Sequence, residues 1–384
     1  MTTLPEPDRR RVPELDGIRG LAILLVLIWH YLLCEVGAPP LLFRFLNITS
    51  SGVDLFFVLS GFLIGGILLD QRDAPNYFSV FYGRRICRIF PIYFAWLLLY
   101  VVLSPIRYHL HIGTAADWSL GPQLPLWSYA TFVQNFLQAK RGTFGPFWLA
   151  PTWSLAVEEQ FYLLLPLVIR FTSRRWLPVL LGAAVVAAPF ARALVYDPGQ
   201  GGIASTVLLF CRTDSLLLGV LSARMVRQEG AVERIIRWMP ALRILFLSGL
   251  GFAMLTEYVP WTRASWVAHD SALAVAYTCL VLLSLHAPRS PLARMSRWVW
   301  LRRLGIIAYG TYLIQEAVAG FVFGFARGRW PSILTGSDLL LNLPALAVTI
   351  GLAAVSWRWF EKPIVSFGRR RWKYTTSESV AGPE

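Results

Sequence analysis

Apolar runs recur along nearly the whole 384-residue chain, divided by short polar connectors. A run of ~17 to 25 apolar residues is long enough to cross a bilayer as a helix. Read this way, crossings fall near 20–37, 52–69, 89–104, 151–169, 176–195, 203–223, 241–257, 269–285, 304–324 and 338–357. The pattern predicts an all-α polytopic membrane protein with about ten transmembrane helices. The longest connector, 105–150, is rich in Gly, Pro and Trp and carries a predicted short helix over 127–137. The first run leads straight into Cys34 and Glu35 with no small-residue cleavage site, so it reads as a retained crossing and not a signal peptide. Residues 1–374 are expected to form one transmembrane domain, 375–384 a disordered polar tail, with no fused soluble domain.

Composition sharpens this picture. The chain is 56% hydrophobic and only 15% charged, against roughly 25% charged in a soluble domain. The net charge of +14 comes from Lys and Arg spread between the spans and not gathered on one basic face, which argues against nucleic acid. Arg9 to Arg11 precede the first span, Arg72, Arg84, Arg85 and Arg88 lie between the second and third, and Arg369 to Arg371 follow the last. Because cytoplasmic loops retain basic residues, both termini are expected in the cytoplasm. Cys34, Cys87, Cys211 and Cys279 have no metal-site or disulfide spacing.

Ionisable residues at membrane depth are costly, so each marks a candidate site. The eleven steps from Arg19 to His30 turn a helix by ~1100°, which places both side chains on one face ~16 Å apart in height. Counted from Pro151, Glu158 lies ~10 Å inside, a depth expected to match that of His30, and Ser154, Glu158 and Tyr162 share one stripe. Asp214, Arg212, Tyr309, Tyr312, Gln315 and Glu316 also converge near mid-membrane, with Asp16, Asp54 and Ser60 as further cavity candidates. Arg212 and Asp214 point apart at i and i+2, so an internal ion pair with other partners is as good a reading as a catalytic one. Arg85 and Arg88 make a two-guanidinium fork suited to phosphate, although topogenic arginines account for the pair nearly as well.

Taken together, these segments resemble the acyltransferase 3 family, membrane enzymes that acylate hydroxyls of bacterial glycans, lipid-linked sugars and sugar-bearing metabolites. The resemblance covers nearly the whole chain. It rests on Asp16 to Ala22 followed by His30, on Val53 to Phe62, on the Arg-x-x-Arg pair Arg85 and Arg88, and on Trp153 to Tyr162 with Glu158 at the shared glutamate. One departure is Gln315, where many members carry a second histidine. The resemblance implies an acyl-CoA donor, most simply acetyl-CoA, docked at the cytoplasmic side on Arg85, Arg88 and Arg19, with its arm reaching His30. His30 is then a general base or an acyl carrier, and Glu158 orients its ring. The implied partners are a carbohydrate or lipid-linked glycan acceptor and the bacterial inner membrane, with no permanent cofactor and no metal. A secondary transporter is the competing class, since it also gathers midplane charges, but no internal repeat supports it.

Overall fold

The computed structural model describes residues 12–33, 41–109, 124–200, 202–259, 262–328, 331, 333 and 335–375. Among them lie no strands and ten helices of 16 residues or more. These are α1 (Pro13–Ile28), α2 (Gly52–Asp70), α3 (Tyr77–His109), α4 (Thr152–Phe171), α5 (Leu177–Val195), α6 (Leu209–Met225), α7 (Met239–Thr256), α8 (Arg263–His286), α9 (Ala308–Arg327) and α10 (Gly336–Ser356). Eight stretches are apolar and long enough to span a bilayer, and a ninth is the pair formed by the helix Val299–Ile306 and α9, bent by 76°. The exception is α4, whose Glu158, Glu159 and Gln160 lower its hydropathy although it packs inside the bundle. The chain is thus a multi-pass membrane protein. α5 and α7 turn Leu180, Val186, Phe190, Ile244 and Leu247 outward, as a lipid-facing surface requires.

Glycines set the closest helix contacts. A Cβ at Gly61 would lie 1.8 Å from the Leu216 carbonyl oxygen, and one at Gly219 would lie 2.2 Å from that of Val58, so α2 and α6 meet backbone to backbone. Gly17 and Gly20 of α1 abut Ser296 and Leu301 in the same way, while Asp16 and Arg19 of the same helix line the cavity. Among the described residues four apolar clusters form the core, and Val53, Phe56 and Tyr309, each packed against two of them, line a cavity where the three largest meet.

Several boundaries differ from expectation. α1 begins at Pro13, a residue whose fixed φ suits a first turn, and ends in a π-helical turn, Trp29–Leu33, which contains His30. α3 starts at Tyr77, so Arg84, Arg85 and Arg88 belong to its opening turns and not to a connector. The helix runs through them because Arg84 donates to the Trp372 carbonyl (2.7 Å) while Arg85 and Arg88 face the cavity. The sixth predicted span breaks at Leu208, between the helix Ile203–Val207 and α6. The helix expected over 127–137 is two, Leu126–Ala130 and Gln134–Arg141, parted at Phe132, which has a φ of 55°. Of the expected polar tail, Thr375 donates to Asn76 (3.1 Å), and 376–384 lie outside the described residues.

Candidate active site

The cavity measures about 990 Å³ and opens at the end of the bundle that carries Asp70, Arg227 and Arg369. Along α2 it extends inward from Asp70 past Ser60 to Phe56 and Val53, seventeen residues or ~25 Å of helix rise. Of the predicted site residues, Asp16, Arg19, Ser60, Arg85, Arg88, Ser154, Glu158, Tyr162, Tyr309 and Tyr312 line it.

Midway along its length sit the cations. Arg19 touches Asp16 at 3.3 Å. Arg85 lies over the Tyr162 ring, 5.9 Å from its centroid, with a buried Nε that has no hydrogen-bond partner. Arg88 forms no hydrogen bond or salt bridge with any described residue. Beside them the Tyr162 and Ser60 hydroxyls are 2.5 Å apart, and both lie against the Glu158 carboxylate. Two guanidinium groups with unused donors inside a cleft form a site for a multiply charged anion such as phosphate.

Beyond the inner end of the cavity stands His30. Its Nε2 is 2.9 Å from Glu316 Oε1, and its Nδ1 is 2.9 Å from the Val26 carbonyl oxygen, which can only accept, so Nδ1 carries a proton. The Gln315 amide lies 3.4 Å from the same nitrogen, so an amide stands beside the ring. The π-helical turn is held from outside: Asn342 donates to the Tyr31 carbonyl (2.6 Å), and the Tyr31 hydroxyl donates to the Gln315 carbonyl (3.0 Å) and meets Thr349 (2.6 Å). Glu316 Oε2 is buried and unpartnered, which leaves an acceptor position at the pair.

The carboxylate in contact with His30 is Glu316, where Glu158 was expected. Depth counted from Pro151 misleads because the connector folds over the start of α4, where Gln134 donates to the Thr152 carbonyl at 2.9 Å, so Pro151 is already deep. Ser154 pairs with Tyr312 (2.7 Å), Glu158 lies one turn beyond Ser154 toward the basic end, and Glu316 lies one turn beyond Tyr312 in the opposite direction. The two carboxylates are thus ~12 Å apart in height. Gln315 and Glu316 do not line the cavity, contrary to expectation; they stand behind its inner wall with His30.

A family model described as an acyltransferase domain matches residues 12–358. The chain belongs to the acyltransferase 3 family. The match is to an acyltransferase domain and not to a transporter. Curated relatives include the putative peptidoglycan O-acetyltransferase YrhL of Bacillus subtilis, 28% identical over 94% of this chain and 56% of its own length. O-acetyltransferase OatA of Staphylococcus aureus is 26% identical over 92% of this chain and 57% of its own. Peptidoglycan O-acetyltransferase OatA of Listeria monocytogenes is 26% identical over 93% and 56%. The chain spans little more than half the length of these relatives. No solved structure matches it.

The remaining candidates of this acyltransferase form a separate, closed network. Arg212 binds Asp54 (3.0 Å) and Asp270 (2.7 Å) and lies 5.8 Å from the Trp153 centroid. Asp214 receives both terminal nitrogens of Arg192, at 3.0 and 2.6 Å, and Ser271 donates to it at 2.9 Å. Asp54, Arg212 and Asp214 are thus absent from the cavity wall and join α2, α5, α6 and α8. Sequence reading missed Arg192 and Asp270, both near predicted span ends; the available signal was that each is an ionisable residue within an apolar run.

Proposed function

We propose that this chain moves an acetyl group from acetyl-CoA to a hydroxyl of a carbohydrate acceptor in the bacterial cell envelope, with peptidoglycan, after its Bacillus subtilis and Listeria monocytogenes relatives, the leading acceptor. The observation that carries the proposal is one cavity that begins at a basic rim, holds the unpaired Arg85 and Arg88 midway, and ends one helical turn from the His30 and Glu316 pair. By the positive-inside rule the basic end faces the cytoplasm of an inner membrane, where acyl-CoA is made available. The donor's phosphates would lie against Arg85, Arg88 and Arg19, and an extended pantetheine arm is comparable in length to the distance from there to His30.

The chemistry follows from the pair. The acceptor oxygen attacks the thioester carbonyl, the new carbon–oxygen bond replaces the carbon–sulfur bond, and the hydroxyl proton passes through Glu316 and His30 to the departing thiolate. Both ring nitrogens are committed, Nδ1 to Val26 and Nε2 to Glu316, which favours a proton-transfer role over an acyl-histidine. The test is to incubate purified protein in lipid nanodiscs with isotopically labelled acetyl-CoA and peptidoglycan fragments, and to analyse the fragments by mass. A base-labile acetyl ester formed by the wild type and absent with His30→Ala is expected; no acetyl ester on any sugar hydroxyl, with intact folded protein, contradicts the proposal.

A further inference from the structure

We infer that Phe56 and Tyr312 set the length of the acyl group this enzyme transfers, admitting acetyl and rejecting butanoyl. The inference rests on the acyl-CoA reading above and deepens it.

The argument starts from where the cavity stops. Phe56, Ser154, Leu155 and Tyr312 line its inner end, whereas His30, Gln315 and Glu316 do not line it at all. Tyr312 and Glu316 sit at i and i+4 on α9, so the tyrosine ring stands on the same helix face, directly between the cavity and the carboxylate that holds His30. The ring is fixed from two sides. Its hydroxyl donates to the Pro151 carbonyl (3.0 Å) and meets Ser154 Oγ (2.7 Å), and its face or edge meets Phe56 with centroids 6.2 Å apart and planes at 71°. Tyr312 is only 7% exposed and forms part of the cavity's inner wall.

A thioester presented to His30 from the cavity has to place its carbonyl at the level of these two rings. The acyl tail then occupies the gap between them. An acetyl methyl fits a small displacement of the ring edges, whereas each added methylene has to push apart side chains that are packed and hydrogen-bonded. One methylene in a fitted pocket discriminates by roughly 10- to 200-fold, so two methylenes make butanoyl a poor substrate.

The experiment measures kcat/KM for acetyl-, propanoyl- and butanoyl-CoA by release of free coenzyme A, with peptidoglycan fragments as acceptor. Wild-type protein is expected to prefer acetyl over butanoyl by about 100-fold or more. Phe56→Ala should bring the ratio to within about 10-fold, mainly by raising butanoyl kcat, while Tyr312→Phe, which keeps the ring, should retain selectivity. Tyr312→Leu opens the same gap from the other side and serves if Phe56→Ala does not accumulate. An unchanged acetyl-to-butanoyl ratio in whichever opened variant is folded, or a wild type with no chain-length preference, overturns the inference. A wild type that turns over no acyl-CoA overturns the donor reading instead, so the two failures are distinct.

Discussion

Two clusters of arginine lie inside this bundle, and they differ in what surrounds them. Arg192 and Arg212 are ion-paired: Asp214, Asp54, Asp270 and Ser271 take up their terminal nitrogens, Arg192 Nε stands 4.0 Å from Asp270, and Arg192 is fully buried. Arg85 and Arg88 line an open cavity, and neither forms a salt bridge with a described carboxylate. A buried ion pair is costly to break because the surviving charge is left uncompensated. An unpaired cation in a cleft has already met that cost and gains when an anion arrives. The first cluster therefore joins helices and the second is free to meet an anion, as the proposed donor site requires, although both are built from the same residue type.

The largest effect should come from breaking the ion-paired cluster. Asp214→Ala strands Arg192, and the loss is about 3–5 kcal/mol, enough to lower the melting temperature sharply or to prevent accumulation in the membrane, read by size-exclusion chromatography of detergent extracts. Restoring charge balance with Arg192→Met in the same chain should recover much of the protein.

Next in size are the two residues to which the proposed mechanism gives the proton transfer. His30→Ala and Glu316→Gln should each lower kcat by about 10² or more without a change in melting temperature. Glu158→Gln, whose carboxylate lies with Ser60 and Tyr162 beside the arginines, should act mainly on KM. Equal kcat losses for Glu158→Gln and Glu316→Gln would erase the distinction drawn between the two carboxylates.

A smaller effect is expected at the hydroxyl pair. Tyr162→Phe removes the 2.5 Å contact with Ser60 but keeps the ring under Arg85. A single such hydrogen bond is worth about 1 kcal/mol, so donor KM should rise only a few-fold, as steady-state kinetics would show.

Much of the fold was legible because apolar length alone predicts a membrane helix, and the ten long helices coincide in order with the ten apolar runs. Ends were less legible where polar side chains point inward: Arg85 and Arg88 look like a connector in sequence but continue α3. Within the site, Arg19 and His30 follow one another along α1 and its π-helical end, so their order is legible, but the π turn breaks the α periodicity and only Arg19 lines the cavity. The partner of His30 is not legible in this way. It depends on how deep α4 begins beneath the folded connector and on the bend before α9, neither of which is encoded in the spacing of Glu158 or Glu316.

The contrast between the two arginine clusters is tested most directly by titrating acetyl-CoA into detergent-solubilised wild type and Arg85→Gln/Arg88→Gln by calorimetry, with the melting temperature of each protein recorded alongside. Each charge-assisted contact is worth about 1.5–3 kcal/mol, so affinity should fall by at least about 10²-fold in the double variant while its melting temperature stays within a few degrees. Undiminished affinity, or a melting temperature that falls as far as that of Asp214→Ala, would contradict the assignment of Arg85 and Arg88 to the donor.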